Sequence, residues 1–276
     1  MRKPFIAAAS LAALVVAGAA AGLAVAEIAP SPPIAPVVAS FIKGGYLPEG
    51  ALDTLRVLPP APKPGDYRYE ADRRAFRDTR ALKDTPRWTL AVADAEDNVA
   101  AMMRDFSCAA GVALTRENAP RAAALIDRMR FDVRNAVNPP KDFYKRQRPY
   151  LIDQGDICVA KDESLAKSPD YPSGHTTWGW TIGLVLAEAV PDRSQDILVR
   201  ARAFGESRVV CGVHNASAIE AGRTNASILV ATLHGSPEFR DDLAAARAEI
   251  AALRKAKAPA PQACDAEAAL IAKTPY

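Results

Sequence analysis

Histidine is scarce in this chain: three in 276 residues, at positions 175, 214 and 234. Its four cysteines, Cys108, Cys158, Cys211 and Cys264, are widely spaced and form no C-x-x-C pair, which speaks against a structural zinc. These scarcities leave no metal site and no cofactor to assign. Blocks of like charge are missing too. The 35 Lys and Arg are scattered among 32 Asp and Glu for a net charge of +3, which gives no footprint for nucleic acid. Stretches of alternating β-branched residues are essentially absent and no internal repeat is found, so the fold class is all-α, a multi-helix bundle.

What is present begins with an export signal. Arg2 and Lys3 precede an apolar run from Phe5 to Ala26, and Ala24 and Ala26 form an A-x-A ending before Glu27. The expected division is a signal peptide over 1–26, an extended Pro-rich leader over 27–44 and one helical domain over 45–276. An uncleaved anchor is the rival reading, since about 20 apolar residues span a bilayer. The Ala and Gly content and the A-x-A ending favour cleavage, hence a periplasmic protein free of the membrane. In an oxidising compartment the four cysteines imply one or two disulfides, among three pairings that the sequence leaves open; four buried thiols are the alternative.

Helical periodicity dominates from about Thr85. Leu90, Val92, Ala95, Val99, Met102, Met103 and Phe106 recur at mostly three- and four-residue intervals, which predicts one amphipathic helix. A second is expected to start with Pro120 in its first turn and to stop at Asn138-Pro139-Pro140. The segment from His175 to Val190 is apolar nearly all round and belongs inside the molecule. Another helix can start at Ser194. Ser236 and Pro237 open a last one with acids early and bases late, as the helix dipole prefers. His234, before Gly235, is expected at a helix C-terminus.

Three short stretches could hold one phosphate. If a short helix starts near Pro140, Lys141 and Arg148 fall on one stripe, and Pro149 sets Arg148 at the helix end; a solvated basic face is the plain alternative. Pro172-Ser173-Gly174 ends a loop before a helix whose first N–H groups and positive dipole end suit an anion, with the Ser173 hydroxyl beside them. Alternatively Ser173 is only a cap and His175 a satisfied histidine. Arg208 and His214 would lie about 120° apart on one helix, but Gly212 can end it in a left-handed turn and let them converge; otherwise this is a structural helix–loop–helix corner.

Taken in order, Lys141-x6-Arg148-Pro149, then Pro172-Ser173-Gly174-His175, then Ser207-Arg208-x5-His214 resemble the three-part signature of the phosphatidic acid phosphatase type 2 superfamily, and within it the class A bacterial non-specific acid phosphatases. Further similarity, as in "GYLPEGALDTLRVLPP", "RWTLAVADAED" and "RVVCGVH", extends from about Gly45 to Gly235. The resemblance implies a helical bundle of the acid phosphatase/vanadium haloperoxidase type. It makes His214 the nucleophile, His175 the acid and base, and Lys141, Arg148, Ser173, Gly174 and Arg208 the phosphate ligands. The implied activity is metal-independent hydrolysis of small phosphate monoesters through a phosphohistidine, with phosphate transfer to alcohols as a side reaction. The broad helical surface is compatible with a homodimer.

One position departs from that pattern. The family carries an aspartate four residues after the nucleophile, bonded to Nδ1 of its ring; here the residue is Ala218. An orienting carboxylate is worth about 10⁴-fold in kcat in a comparable triad, and Glu220 lies about 200° round the helix from Ala218. Ser217, Asn215 or a backbone carbonyl is therefore expected to hold Nδ1 more weakly. The protein should be active but slower than members with the aspartate, or work at a different pH, and Ala218→Asp should raise turnover. The departure keeps one alternative, a phosphate-binding relative that has lost catalysis; the resemblance keeps another, a vanadate-dependent haloperoxidase, since the superfamily uses the same residues for vanadate.

Overall fold

Apolar on every side, the segment after Pro172-Ser173-Gly174 forms the axis of the fold, as seen in a computed structural model that describes residues 44–259 and 261–276. The expected signal peptide and nearly all of the leader lie outside the described residues. Ten α-helices and no strand are found among those residues: α1 Tyr67–Thr79, α2 Pro86–Ala93, α3 Val99–Ala110, α4 Pro120–Tyr144, α5 Glu163–Lys167, α6 Gly174–Ala189, α7 Ser194–Val210, α8 Ala216–Leu233, α9 Pro237–Lys255 and α10 Cys264–Ile271. None of them is long and apolar enough to cross a membrane.

Helix α6 packs chiefly on α7 and α8, with α4 and α9 closing the rest of its circumference. Gly179 and Gly183 allow that closeness. A Cβ at Gly179 would overlap Phe204, and one at Gly183 would overlap the Ala201 side chain. Around this axis Met102, Phe106, Ile126, Met129, Ile182, Ile197, Phe204 and Phe239 form one continuous apolar core. Helices α7 and α9 begin where the sequence places them. Ser236 caps α9 by accepting from Phe239 N–H at 3.3 Å, and His234 occupies the C-cap of α8.

Two expected boundaries differ. The single helix expected across Leu90 to Phe106 is two, α2 and α3, because the Asn98 side chain accepts from Ala101 N–H at 3.0 Å and starts a new helix after a polar turn. Conversely α4 does not stop at Asn138-Pro139-Pro140 but runs on to Tyr144. A proline at 140 has no N–H for the carbonyl of Ala136, and in most helices that loss ends the ladder. Here Thr54 Oγ1 and Asn225 Nδ2 each donate to that carbonyl at 3.0 Å, so the helix continues.

The cysteines form two disulfides, Cys108–Cys264 and Cys158–Cys211. The first ties α10 to the end of α3. The second fastens the loop after α7 to the segment before α5, where Cys158 N–H also donates to the Cys211 carbonyl at 3.0 Å.

Candidate active site

Lys141 and Arg148 reach one place by a route other than the expected stripe. Helix α4 ends at Lys145, a left-handed C-cap with φ of 46°, and Arg148 lies in extended backbone before Pro149. Both side chains then turn onto Ser168 and its neighbour. Lys141 Nζ donates to the Pro169 carbonyl at 2.7 Å and to Ser168 Oγ at 3.3 Å; Arg148 donates to the Ser168 carbonyl at 2.8 Å and to Ser168 Oγ at 3.1 Å. Neither is committed to a carboxylate by a direct ion pair.

Ser173 is the N-cap of α6 and accepts from Thr176 N–H at 3.3 Å, so Gly174 and its neighbours in the first turn present N–H groups at the positive end of a buried dipole. Arg208 stands in the last turn of α7. It is buried, and its Nε and Nη1 have no hydrogen-bond partner. An orphaned guanidinium of that kind is costly unless an anion meets it. Ser207, its neighbour, is not turned to the same place; it accepts from Arg87 at 2.9 Å and donates to Asp94, which pairs with Arg200 at 2.6 Å in a buried network.

After α7 the chain turns at Gly212, whose φ of +81° is the left-handed conformation expected there. Val213 and His214 N–H both donate to the Arg208 carbonyl, at 3.1 and 3.2 Å, so the loop folds back over the helix end that carries Arg208. His214 is 2% exposed. Its Nδ1 lies 2.9 Å from Asp170 Oδ1 and its Nε2 lies 3.2 Å from Arg148 Nη1. A carboxylate can only accept and a guanidinium can only donate, so the tautomer is fixed: the proton sits on Nδ1 and the lone pair on Nε2.

That contact corrects the expectation for Nδ1. Neither Ser217 nor Asn215 touches the ring. Asn215 instead braces the carboxylate, with its N–H 3.1 Å from Asp170 Oδ1 and its Nδ2 2.9 Å from Oδ2. Ser217 donates to Asp72 and accepts from Arg146 at 2.7 Å, and Arg146 also pairs with Asp72 at 2.8 Å and stands 3.4 Å from Asp170. Ala218 is fully buried in an apolar cluster with Leu58, Ala61, Tyr171 and Ala221. Glu220 faces outward to Arg68. The only sequence signal for Asp170 was an acid two residues before the Pro-Ser-Gly turn.

His175 lies in the first turn of α6, stacked on Phe204, with Nε2 donating to the Ala95 carbonyl at 3.1 Å and Asp97 Oδ2 at 3.7 Å. The turn between α2 and α3, not expected from the sequence, supplies both partners. Burial, then the Arg208 charge, pushes its pKa down to about 3. Burial followed by the Arg148, Lys141 and Arg208 charges likewise drives His214 well below the usual histidine value. The cations feel the same crowding: burial and Arg148 lower Lys141 to about 8 and Arg208 to about 10. Three desolvated cations and two imidazoles whose charges act on one another are an arrangement able to hold a polyanion, with the His214 Nε2 lone pair turned toward Arg148. Among the described residues no group of three or more His, Cys, Asp or Glu is placed to hold a metal ion.

Comparison with known proteins identifies the family. Residues 131–239, which include Lys141, Arg148, Ser173, Gly174, His175, Arg208 and His214, match the PAP2 superfamily. The chain is 41% identical over 199 residues to an acid phosphatase of Zymomonas mobilis, covering 72% of this chain and 75% of that one. It is 38% identical to a non-specific acid phosphatase of Providencia stuartii, over 74% of this chain and 84% of the relative. With a non-specific acid phosphatase of Salmonella typhimurium it shares 34% identity over 77% and 86% of the two chains. The chain therefore belongs to the PAP2 superfamily, where it groups with acid phosphatases.

Proposed function

We propose that this acid phosphatase hydrolyses small phosphate monoesters through a phosphohistidine on His214, without a metal ion, in the periplasm. One observation carries the reading: a buried histidine whose Nδ1 proton is held by Asp170 at 2.9 Å and whose Nε2 accepts from Arg148 at 3.2 Å, with the Lys141 and Arg208 charges near enough to depress its pKa. Nε2 attacks phosphorus as the bond to the alcohol oxygen breaks, and the imidazolium that forms is balanced by Asp170. Lys141, Arg148, Arg208, the Ser173 hydroxyl and the Gly174 N–H bind the equatorial oxygens, whose charge is what the transition state must stabilise.

His175 gives the leaving alkoxide its proton, then takes one from the water that attacks phosphorus and releases Nε2. A pKa pushed down to about 3 would leave it unprotonated in mild acid. A phosphate dianion drawn in by the three cations offsets their repulsion and raises that pKa, so protonation is coupled to substrate binding. The periplasmic part of the proposal rests on the signal-like N-terminus and the two disulfides. Asp170 at Nδ1 supports catalysis over a phosphate-binding relative that has lost it.

The test is p-nitrophenyl phosphate hydrolysis from about pH 4 to about pH 8 in EDTA, with wild type and His214→Ala side by side. EDTA-resistant turnover that vanishes in the variant, with a 32P label on wild-type protein quenched in mid-reaction, is the expected result. Turnover that persists in the variant would sink the histidine mechanism.

A further inference from the structure

Arg130, Arg134, Asn138 and Lys141 follow one another at three- and four-residue intervals along α4, so they share one face of that helix. With Asp97 and Gly174 they line a cavity of about 240 Å³. Because Lys141 and Gly174 also belong to the phosphate recess, the cavity opens directly onto it. Asp97 stands 3.7 Å from Nε2 of His175, which puts the cavity on the side of the proton donor, where the alcohol of the substrate must lie.

The charges in this cavity are unequal in their commitments. Asp97 is engaged by Arg130 at 2.9 Å, and the Arg130 guanidinium also lies 5.7 Å from the Trp178 ring centroid. Lys141 is turned to Ser168 and Pro169. Arg134 is exposed, and its side chain makes no ion pair or hydrogen bond with any described residue. Once Arg130 and Asp97 cancel, the alcohol side of the site therefore carries one uncommitted guanidinium. Seven residues separate it from Lys141, roughly 10 Å along the helix.

We propose that Arg134 binds a second phosphoryl group on the alcohol of the substrate, so that the preferred substrates are bisphosphorylated, such as sugar bisphosphates. The proposal rests on the phosphatase reading above and names its substrate class. A planar guanidinium meets two phosphoryl oxygens at once, which a solvated lysine does not. The span of roughly 10 Å selects esters whose two phosphates stand at opposite ends of a sugar-sized alcohol rather than on adjacent carbons.

Two measurements test it. In wild type, Arg134→Ala and Arg134→Lys, initial kcat/KM is compared for fructose 1,6-bisphosphate and fructose 6-phosphate. Separately, calorimetric binding of the same two esters is measured on His214→Ala and on His214→Ala/Arg134→Ala, which needs no turnover. The bisphosphate should be favoured about tenfold in both readouts, and Arg134→Ala should erase that preference, with Arg134→Lys between. Equal preference with and without Arg134 overturns the proposal, as does equal binding of the two esters. Loss of hydrolysis with retained discrimination in binding would count against the phosphatase reading alone.

Discussion

Nδ1 of His214 and Oδ1 of Asp170 lie 2.9 Å apart although 44 positions separate the residues. Asp170 is fully buried, and burial raises its pKa while Arg146 and the two Asn215 donors pull it down. The carboxylate thus depends on its neighbours to stay ionised beside the imidazole. It does from the loop before α6 what a carboxylate at position 218 would do from α8. Asp170→Asn should lower kcat by about 10²- to 10⁴-fold, because an amide can present a donor to Nδ1 and move the ring proton onto Nε2. Inhibition by inorganic phosphate should be little changed, since the three cations remain. A parallel collapse of phosphate binding would mean that Asp170 only holds the fold. By the same geometry Ala218→Asp should not raise turnover. It would place a carboxyl in a closed apolar cluster next to Tyr171, and a lowered melting temperature is the expected reading.

How far the sequence reached depended on whether the deciding contact was local. Helix α9 was legible because Ser236, Pro237 and the charge order all act within one helix. The left-handed turn at Gly212 was legible because a glycine between two converging residues has few other uses. The continuation of α4 through Pro139 and Pro140 was not, since it rests on Thr54 and Asn225 meeting one carbonyl from distant parts of the chain. Nor could the break between α2 and α3 be read, where apolar periodicity crosses a capping Asn98 without a change of phase. Asp170 belongs to the same kind. Spacing rules search along one helix, and this carboxylate comes from another segment.

Lys141 should set the alkaline limb of phosphate binding. Burial first, then the Arg148 charge, lower its pKa to about 8, so in the free enzyme its charge is present below that value and lost above it. KM for p-nitrophenyl phosphate should therefore climb as pH rises through about 8, while kcat changes less. Arginine keeps its charge throughout this range. Lys141→Arg should flatten the climb even if its absolute KM is higher. An unchanged limb in the variant would assign it to another group.

The two disulfides should separate stability from activity. Cys158–Cys211 fastens the loop between Arg208 and His214, whereas Cys108–Cys264 joins α10 to α3 away from the recess. Each crosslink is worth about 2 to 4 kcal/mol through the unfolded chain. Cys158→Ala/Cys211→Ala should lose stability and also at least tenfold in kcat, since a misplacement of about 1 Å at a catalytic group costs about 10²-fold. Cys108→Ala/Cys264→Ala should lose stability with kcat retained below its own melting point. Thermal melts and kcat at one moderate temperature read both effects, and equal kcat in the two double variants would remove any special role for the loop bond.

Asp105 should make the protein more stable in mild acid than at neutrality. It is 8% exposed on α3; burial lifts its pKa to about 6, with Arg200 opposing and Asp94 adding to the rise. Because the folded pKa exceeds the unfolded one, the folded state binds more protons between about pH 4 and pH 6, and stability falls as pH rises through that window. Above it the ionised carboxylate is a burden of a few kcal/mol at most. Its Oδ2 has no partner, so nothing on that side repays the charge. Asp105→Asn keeps the shape and removes the titration. The wild-type melting temperature should drop between about pH 4 and about pH 7, and the Asn variant should show a shallower drop over the same interval. A curve of equal slope in both proteins would mean that Arg200 and Arg104 already hold Asp105 ionised throughout.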